Sequence, residues 1–144
     1  MATVNDVTQL NRIPVFSIAT PTTIQEVVEA LTKTTLPVSV GGGHFSMGGH
    51  AASPGTLHLD MRKMNRVLRF EPHTPVIRVQ AGIRWCDIQR FIDPHGLSVK
   101  IMQTYANFTV GGALCRSMRT AATWDWGRWC YRFGPSGSCW PTAK

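Results

Sequence analysis

Ile24, Val27, Val28 and Leu31 recur at i, i+3, i+4 and i+7, a spacing that gathers apolar side chains on one face of a helix. Thr23-Ile24-Gln25-Glu26 opens that run as a capping box, with Thr23 as the N-cap and a glutamate three residues on. Pro37-Val38-Ser39-Val40 predicts a short buried strand that runs straight into glycines. Thr56-Leu57-His58-Leu59-Asp60 alternates and predicts another strand, with His58 facing either inward or outward. Val67 to Phe70 and Val76 to Val79 are two further strands. The turn-forming stretch Glu71-Pro72-His73-Thr74-Pro75 between them predicts a hairpin. Arg84 to Asp93 reads as a second helix, with Trp85, Ile88 and Ile92 on one side and Pro94-His95-Gly96 ending it. Asn107 to Leu114 reads as a loop with a tight turn entering a helix. Helix, strand and glycine loop in that order belong to a βαβ-type unit.

No apolar run is long enough to span a bilayer, so no membrane partner is expected. Met1 to Leu10 has neither the basic start nor the apolar core of a secretory signal, which points to the cytoplasm. The 144 residues are enough for one domain with a real core.

Composition changes the picture at one end. The net charge is +7, but residues 115–144 hold Arg116, Arg119, Arg128, Arg132 and Lys144 against Asp125 alone. That leaves only +3 on the first 114 residues, too little for a folded nucleic-acid-binding face. The same thirty residues carry Trp124, Trp126, Trp129, Trp140, Cys115, Cys130 and Cys139, and no Leu, Ile or Val. A segment without branched aliphatics lacks the material for an ordinary helix or strand face.

Candidate chemistry lies in the loop Val40-Gly41-Gly42-Gly43-His44-Phe45-Ser46-Met47-Gly48-Gly49. Glycine lets a backbone take positive φ and lets a ligand approach main-chain N–H groups. A run of such groups makes a concave anion site, suited to a pyrophosphate, and Ser46 adds a hydroxyl. The loop lacks the Gly-Lys-Ser/Thr of a Walker A motif, and the G-x-G-x-x-G fingerprint fails at Ser46. The cysteines and histidines show no metal-ligand spacing, so no metal is expected. Cys86 reads as a small buried apolar residue, and His50, His73 and His95 as surface or turn residues.

The loop, together with Leu57 to Val67, Val79-Gln80-Ala81-Gly82, Asp93-Pro94-His95-Gly96-Leu97 and Thr109-Val110-Gly111-Gly112, resembles the vanillyl-alcohol oxidase / para-cresol methylhydroxylase type of FAD-binding domain. Within that family the look is of the aldonolactone and sugar-alcohol oxidases. The resemblance implies an α+β fold of two α/β subdomains, here truncated, with FAD between them. It implies that Val40, Gly41, Gly42, Gly43, His44, Phe45, Ser46, Met47 and Gly48 hold the pyrophosphate. Thr104 and Tyr105 would line the isoalloxazine, and Thr109, Val110, Gly111 and Gly112 would make a second FAD contact. His44 occupies the place where several members attach the flavin covalently. Those members have Ser directly after His, whereas here Phe45 intervenes, so His44 is either a covalent anchor or a plain loop histidine. A complete relative would oxidise a hydroxyl-bearing small molecule with FAD. No acid of this chain is placed by motif as a general base, so the catalytic residues are unknown.

The resemblance divides the chain into an N-terminal extension at 1–14, a partial FAD-binding domain at 15–114 and an aberrant tail at 115–144. Shifting the reading frame of the tail by one base forces Gly from Trp124-Asp125, Gly from Trp126-Gly127, Val from Trp129-Cys130 and Ala from Trp140-Pro141. Favourable choices at degenerate bases return an apolar, strand-like continuation, as expected of a frameshift near codon 115. Three readings follow: an FAD-linked oxidoreductase domain, a non-catalytic remnant of one, or a basic nucleic-acid-binding module.

Overall fold

A computed structural model describes residues 2–74, 76–99, 105–115, 131–133 and 139–141. The chain divides into two units, Met1–Met64 and Asn65–Lys144.

The first unit begins with β1 (Ala2–Val4) and β2 (Ile13–Val15), which pair antiparallel with Ala2 opposite Val15 and Val4 opposite Ile13. Their inward residues Val4, Ile13 and Val15 pack with Ala51 into a small core. Residues 1–14, set apart as an extension on sequence grounds, thus contribute a strand and part of that core. β3 (Ser17–Ala19), α1 (Ile24–Lys33), β4 (Val38–Gly41) and β5 (Leu57–Asp60) follow. The parallel sheet has the order β3-β5-β4, so the last strand of the unit inserts between the other two. A central strand is covered on both faces, and His58, Leu59 and Asp60 are all buried.

Two sequence expectations need correction here. β4 forms where predicted but is not a buried strand: it lies at the sheet edge, and Val40 is 64% exposed. The capping box of α1 is half built. Thr23 Oγ1 accepts from the Glu26 N–H at 3.2 Å, as expected. The Glu26 carboxylate, however, turns to the Thr22 N–H at 2.7 Å, one residue earlier than the motif implies. The predicted apolar stripe is present on α1, yet Ile24, Val28 and Leu31 are 54%, 52% and 47% exposed.

The second unit opens with the predicted hairpin. β6 (Val67–Phe70) and β7 (Ile77–Val79) pair antiparallel with a register shift between Val67 and Arg69. α2 (Trp85–Ile92) buries Ile88 and Ile92, and it gives way to a 3₁₀ turn at Asp93–His95. Gly96 then takes a left-handed φ of 68°, the backbone state that ends the run. Ile83, Ile88, Ile92 and Val110 form the core, flanked by Val67, Phe70, Ile77, Val79, Trp85 and Val99. α3 (Val110–Cys115) supplies Val110 to it. β8 (Tyr131–Phe133) pairs antiparallel with β9 (Cys139–Pro141). These strands lie in the segment expected to lack a strand face. A main-chain ladder needs no aliphatic side chain, so pairing survives the unusual composition. The rest of 116–144 lies outside the described residues. Among the described residues no helix is long and apolar enough to cross a membrane.

Candidate functional site

The glycine loop leaves β4 at Gly41. Gly48 and Gly49 take φ of 83° and 81°, and His44 takes 59°, a value non-glycine residues seldom adopt. The Met47 N–H closes a short turn onto Phe45 O at 3.0 Å. The main-chain N–H groups of Gly43, His44 and Ser46 have no partner among the described residues. Unpartnered donors in a glycine-rich turn suit an anion.

Gly41 is required by packing. A Cβ on it would lie 2.7 Å from His58 Nε2 and 2.8 Å from His44 Nε2. The two imidazoles meet edge to face with centroids 5.6 Å apart. They share a cavity of about 220 Å³ with Thr3, Val4, Asn5, Gln9, Ile18, Asp60 and Arg62. Asp60 is buried and accepts from Arg62 at Nε, 2.9 Å, and Nη2, 2.5 Å. Burial would raise its carboxyl, but the Arg62 hydrogen bonds outweigh burial and hold it below the usual carboxylate value. Burial lowers both histidines from the ordinary imidazole value. Arg62 adds to this at His44, and the His44 ring adds to it at His58.

The N-terminal segment braces the loop. His44 O accepts from the Val7 N–H at 2.9 Å, and the His44 ring bonds the Asn5 carbonyl through Nδ1 at 3.1 Å. Between them, fully buried Asp6 accepts from the Thr8 N–H at 2.9 Å, Asn11 Nδ2 at 2.9 Å and the Gly49 N–H at 3.4 Å, and also from the Thr8 hydroxyl. The Thr8 hydroxyl bond, helped by Asn11 and the main-chain donors, holds the Asp6 carboxyl down to about 2. A depressed carboxylate stabilises the fold above its unfolded value and loses that contribution as pH falls through the folded one. The wild-type chain should therefore lose stability between about pH 4 and pH 2. Asp6→Asn should lose most of that acid sensitivity while being less stable at neutral pH, as thermal unfolding against pH would show. An unaltered acid limb in the variant would contradict the assignment.

The second glycine motif lies in the second unit and is built differently. The Val110 N–H donates to Ile83 O at 2.9 Å and the Gly111 N–H to Ala81 O at 2.8 Å. Those two amides are already engaged within the protein. A Cβ on Gly111 would meet Ala81 Cβ at 2.9 Å and Ala81 O at 3.0 Å, so this glycine permits the close approach of α3 to the Ala81–Ile83 turn. Thr109 is buried and bridges to Arg84. Tyr105 is exposed and stacks edge-on against Phe108 at 5.4 Å. Thr104 lies outside the described residues.

Sequence reasoning missed Asn5 and Asp6 and left the facing of His58 open. Alternation sets His58 opposite Leu57 and Leu59, and only the central place of β5 in the parallel sheet covers that face too.

A parallel sheet edge here runs into a glycine-rich turn whose unpartnered amides suit an anionic ligand. The chain belongs to the FAD-binding domain family, whose model matches residues 14–121. The unpartnered amides of Gly43, His44 and Ser46 fit the pyrophosphate of that cofactor. Bovine L-gulonolactone oxidase is 33% identical over 97 residues, 65% of this chain and 22% of that protein. Decaprenylphosphoryl-beta-D-ribose oxidase of Mycolicibacterium smegmatis is 33% identical over 69 residues, 48% of this chain and 15% of that one. An alkyldihydroxyacetonephosphate synthase structure superposes with a TM-score of 0.64 at 23% identity, covering 78% of this chain and 24% of the other. That last likeness shows the fold. The chain spans about a fifth of the length of the oxidase from cattle. FAD is the cofactor of this FAD-binding domain.

Proposed function

We propose that Val40 to Gly48 hold the FAD pyrophosphate, and that the complete protein oxidises a hydroxyl-bearing, sugar- or lactone-like small molecule. The observation that carries the first part is the set of unpartnered N–H groups at Gly43, His44 and Ser46 in a glycine-rich turn. The second part is supported by the names of the relatives, L-gulonolactone oxidase and decaprenylphosphoryl-beta-D-ribose oxidase. Bound FAD supplies the electron-accepting ring. This chain supplies the loop amides, the Ser46 hydroxyl, Tyr105 and the Thr109–Gly112 turn. Since Val110 and Gly111 already spend their amides, Thr109 to Gly112 contribute shape, with Gly112 the remaining open position.

His44 in this reading is a hydrogen-bonded loop residue. Its Nδ1 is engaged by Asn5, and its Nε2 is buried against Gly41 and His58. A covalent bond to flavin at either nitrogen requires the ring to leave that seat. The purified chain, reconstituted with FAD, should take up flavin and show its visible absorbance. Acid precipitation should release the colour into the supernatant. Colour that stays with the precipitated protein would reverse the reading of His44, and a chain that takes up no flavin at millimolar FAD would sink the pyrophosphate assignment.

A further inference from the structure

His58 is the largest fully buried side chain of the first unit, and flavin binding through the loop amides does not use it. Its protonation pattern follows from its neighbours. The Ser53 carbonyl can only accept, so Thr56 Oγ1, 2.7 Å away, gives its one proton there. Ser39 Oγ, 2.7 Å from Thr56 Oγ1, must then donate to it, and must accept from His58 Nδ1 at 2.9 Å. His58 therefore carries its proton on Nδ1 and leaves Nε2 bare. The Asn5 carbonyl imposes the same tautomer on His44. Both bare nitrogens are buried, neither has a hydrogen-bond partner, and both converge on the space a Gly41 side chain would fill.

We propose that His58 is a positioning residue for the glycine loop: locked from behind by Ser39, Thr56 and Ser53, its neutral ring is the seat on which Gly41 and the His44 ring rest. The proposal rests on the flavin reading for its consequence, which is that the seat keeps the loop in the shape that receives the dinucleotide.

The seat weakens as the rings gain second protons. One added proton finds only the other ring's bare Nε2 to accept it, and two find none. Two cationic rings would face each other, with Arg62 as a third cation nearby. Asp60, the anion facing the pair, is already bound by Arg62. The strands on either side place Ile18 and Ser39 opposite His58, and neither titrates. The N-terminal segment lines the same cavity with Thr3, Asn5 and Gln9, which are uncharged. Because burial holds both rings below the ordinary 6.5, the unfolded or opened chain takes up protons first, and the seated state weakens as pH falls below about 6.5. The His44 ring would leave first, since it sits on the loop, and with it go the ties of His44 and Gly49 to Asn5, Asp6 and Val7.

The test uses the full chain and two readouts: FAD affinity, and hydrogen exchange of the 41–49 amides without flavin, each at pH 8 and pH 5.5. The wild type should bind FAD more weakly at the lower pH by up to about tenfold for each ring, because an imidazole freed from the seat is about nine-tenths protonated there. Its loop amides should also exchange faster. His58→Asn keeps a donor for Ser39 and cannot gain a second proton, so its pH dependence should flatten to the His44 share. Ser39→Ala leaves the ring in place, removes its acceptor, and should weaken binding about three- to tenfold at pH 8. A folded His58→Asn with the full wild-type pH profile overturns the proposal. If His58→Asn fails to fold, a Ser39→Ala chain with wild-type affinity and exchange overturns it instead. Absence of FAD binding by the wild type at pH 8 refutes the flavin reading alone, and the exchange data then decide the role of His58.

Discussion

Gly41→Ala should cost the first unit about 1–3 kcal/mol, the range for forcing a methyl into packed space, and should abolish measurable FAD binding. The new Cβ would fall 2.7 Å from His58 Nε2 and 2.8 Å from His44 Nε2, well inside contact distance. The two rings are not equally able to yield. His58 is fully buried on the central strand and hydrogen-bonded to Ser39 behind it. His44 is on a loop, at a strained φ of 59°, and held by one side-chain bond to Asn5. The methyl should therefore displace His44 and leave β5 in place. Urea unfolding gives the stability change, flavin titration gives the binding loss, and His44→Ala in the same background should recover part of the stability without recovering FAD. A Gly41→Ala chain as stable as wild type would mean that this packing is not what excludes a side chain.

The second large effect is expected at Gly111. Alanine there would press on Ala81 Cβ at 2.9 Å and on Ala81 O at 3.0 Å, and a backbone oxygen cannot swing aside. The same contact carries the Gly111 N–H bond to Ala81 O, and the adjacent Val110 is in the core of the second unit. Overpacking of this kind costs about 1–3 kcal/mol, against a gain of about 1 kcal/mol in helix propensity on replacing glycine. Gly112 is the internal control. A Cβ there meets only Thr109 Oγ1, at 3.1 Å, so Gly112→Ala should be near neutral in the same helix. Equal destabilisation by the two alanines, measured by thermal unfolding, would show that helix entry rather than the Ala81 contact sets the requirement.

What could be read beforehand follows the range of the interactions involved. α1, α2 and the β6–β7 hairpin announce themselves through contiguous residues: the Thr23 cap, the Ile88 and Ile92 spacing, the turn at Glu71 to Thr74. The glycine loop is legible because five glycines in nine residues stand out in the sequence, although Gly48 and Gly49 serve the backbone and Gly41 serves a tertiary contact. β1, β2 and β3 are three residues each, too short for a period-2 pattern to stand out; β1 and β2 complete each other, and β3 is completed by β5 far along the chain. The insertion of β5 between β3 and β4 is a long-range fact of the same kind. It alone turns His58 into an interior residue and leaves Val40 at an edge. Asn5 and Asp6 sit in a stretch without a motif, and only the positions of His44 and Gly49, 39 and 43 residues away, give them their work. Val110 and Gly111 show the reverse: the motif was visible, but which of its amides were already engaged was set by Ala81 and Ile83.

The run from Ser53 through Thr56 and Ser39 to His58 has a direction, because it starts at a carbonyl that can only accept. Direction makes its members mutually dependent in descent. A lineage that exchanges Ser39 for threonine keeps the sequence of donors and can leave the rest untouched. One that loses the Ser39 hydroxyl strands the Nδ1 proton of a ring it cannot expose, and one that loses the Thr56 hydroxyl strands the Ser39 proton one step behind it. Positions 39, 56 and 58 should therefore drift together or hold together, even though only the loop they support ever meets a ligand.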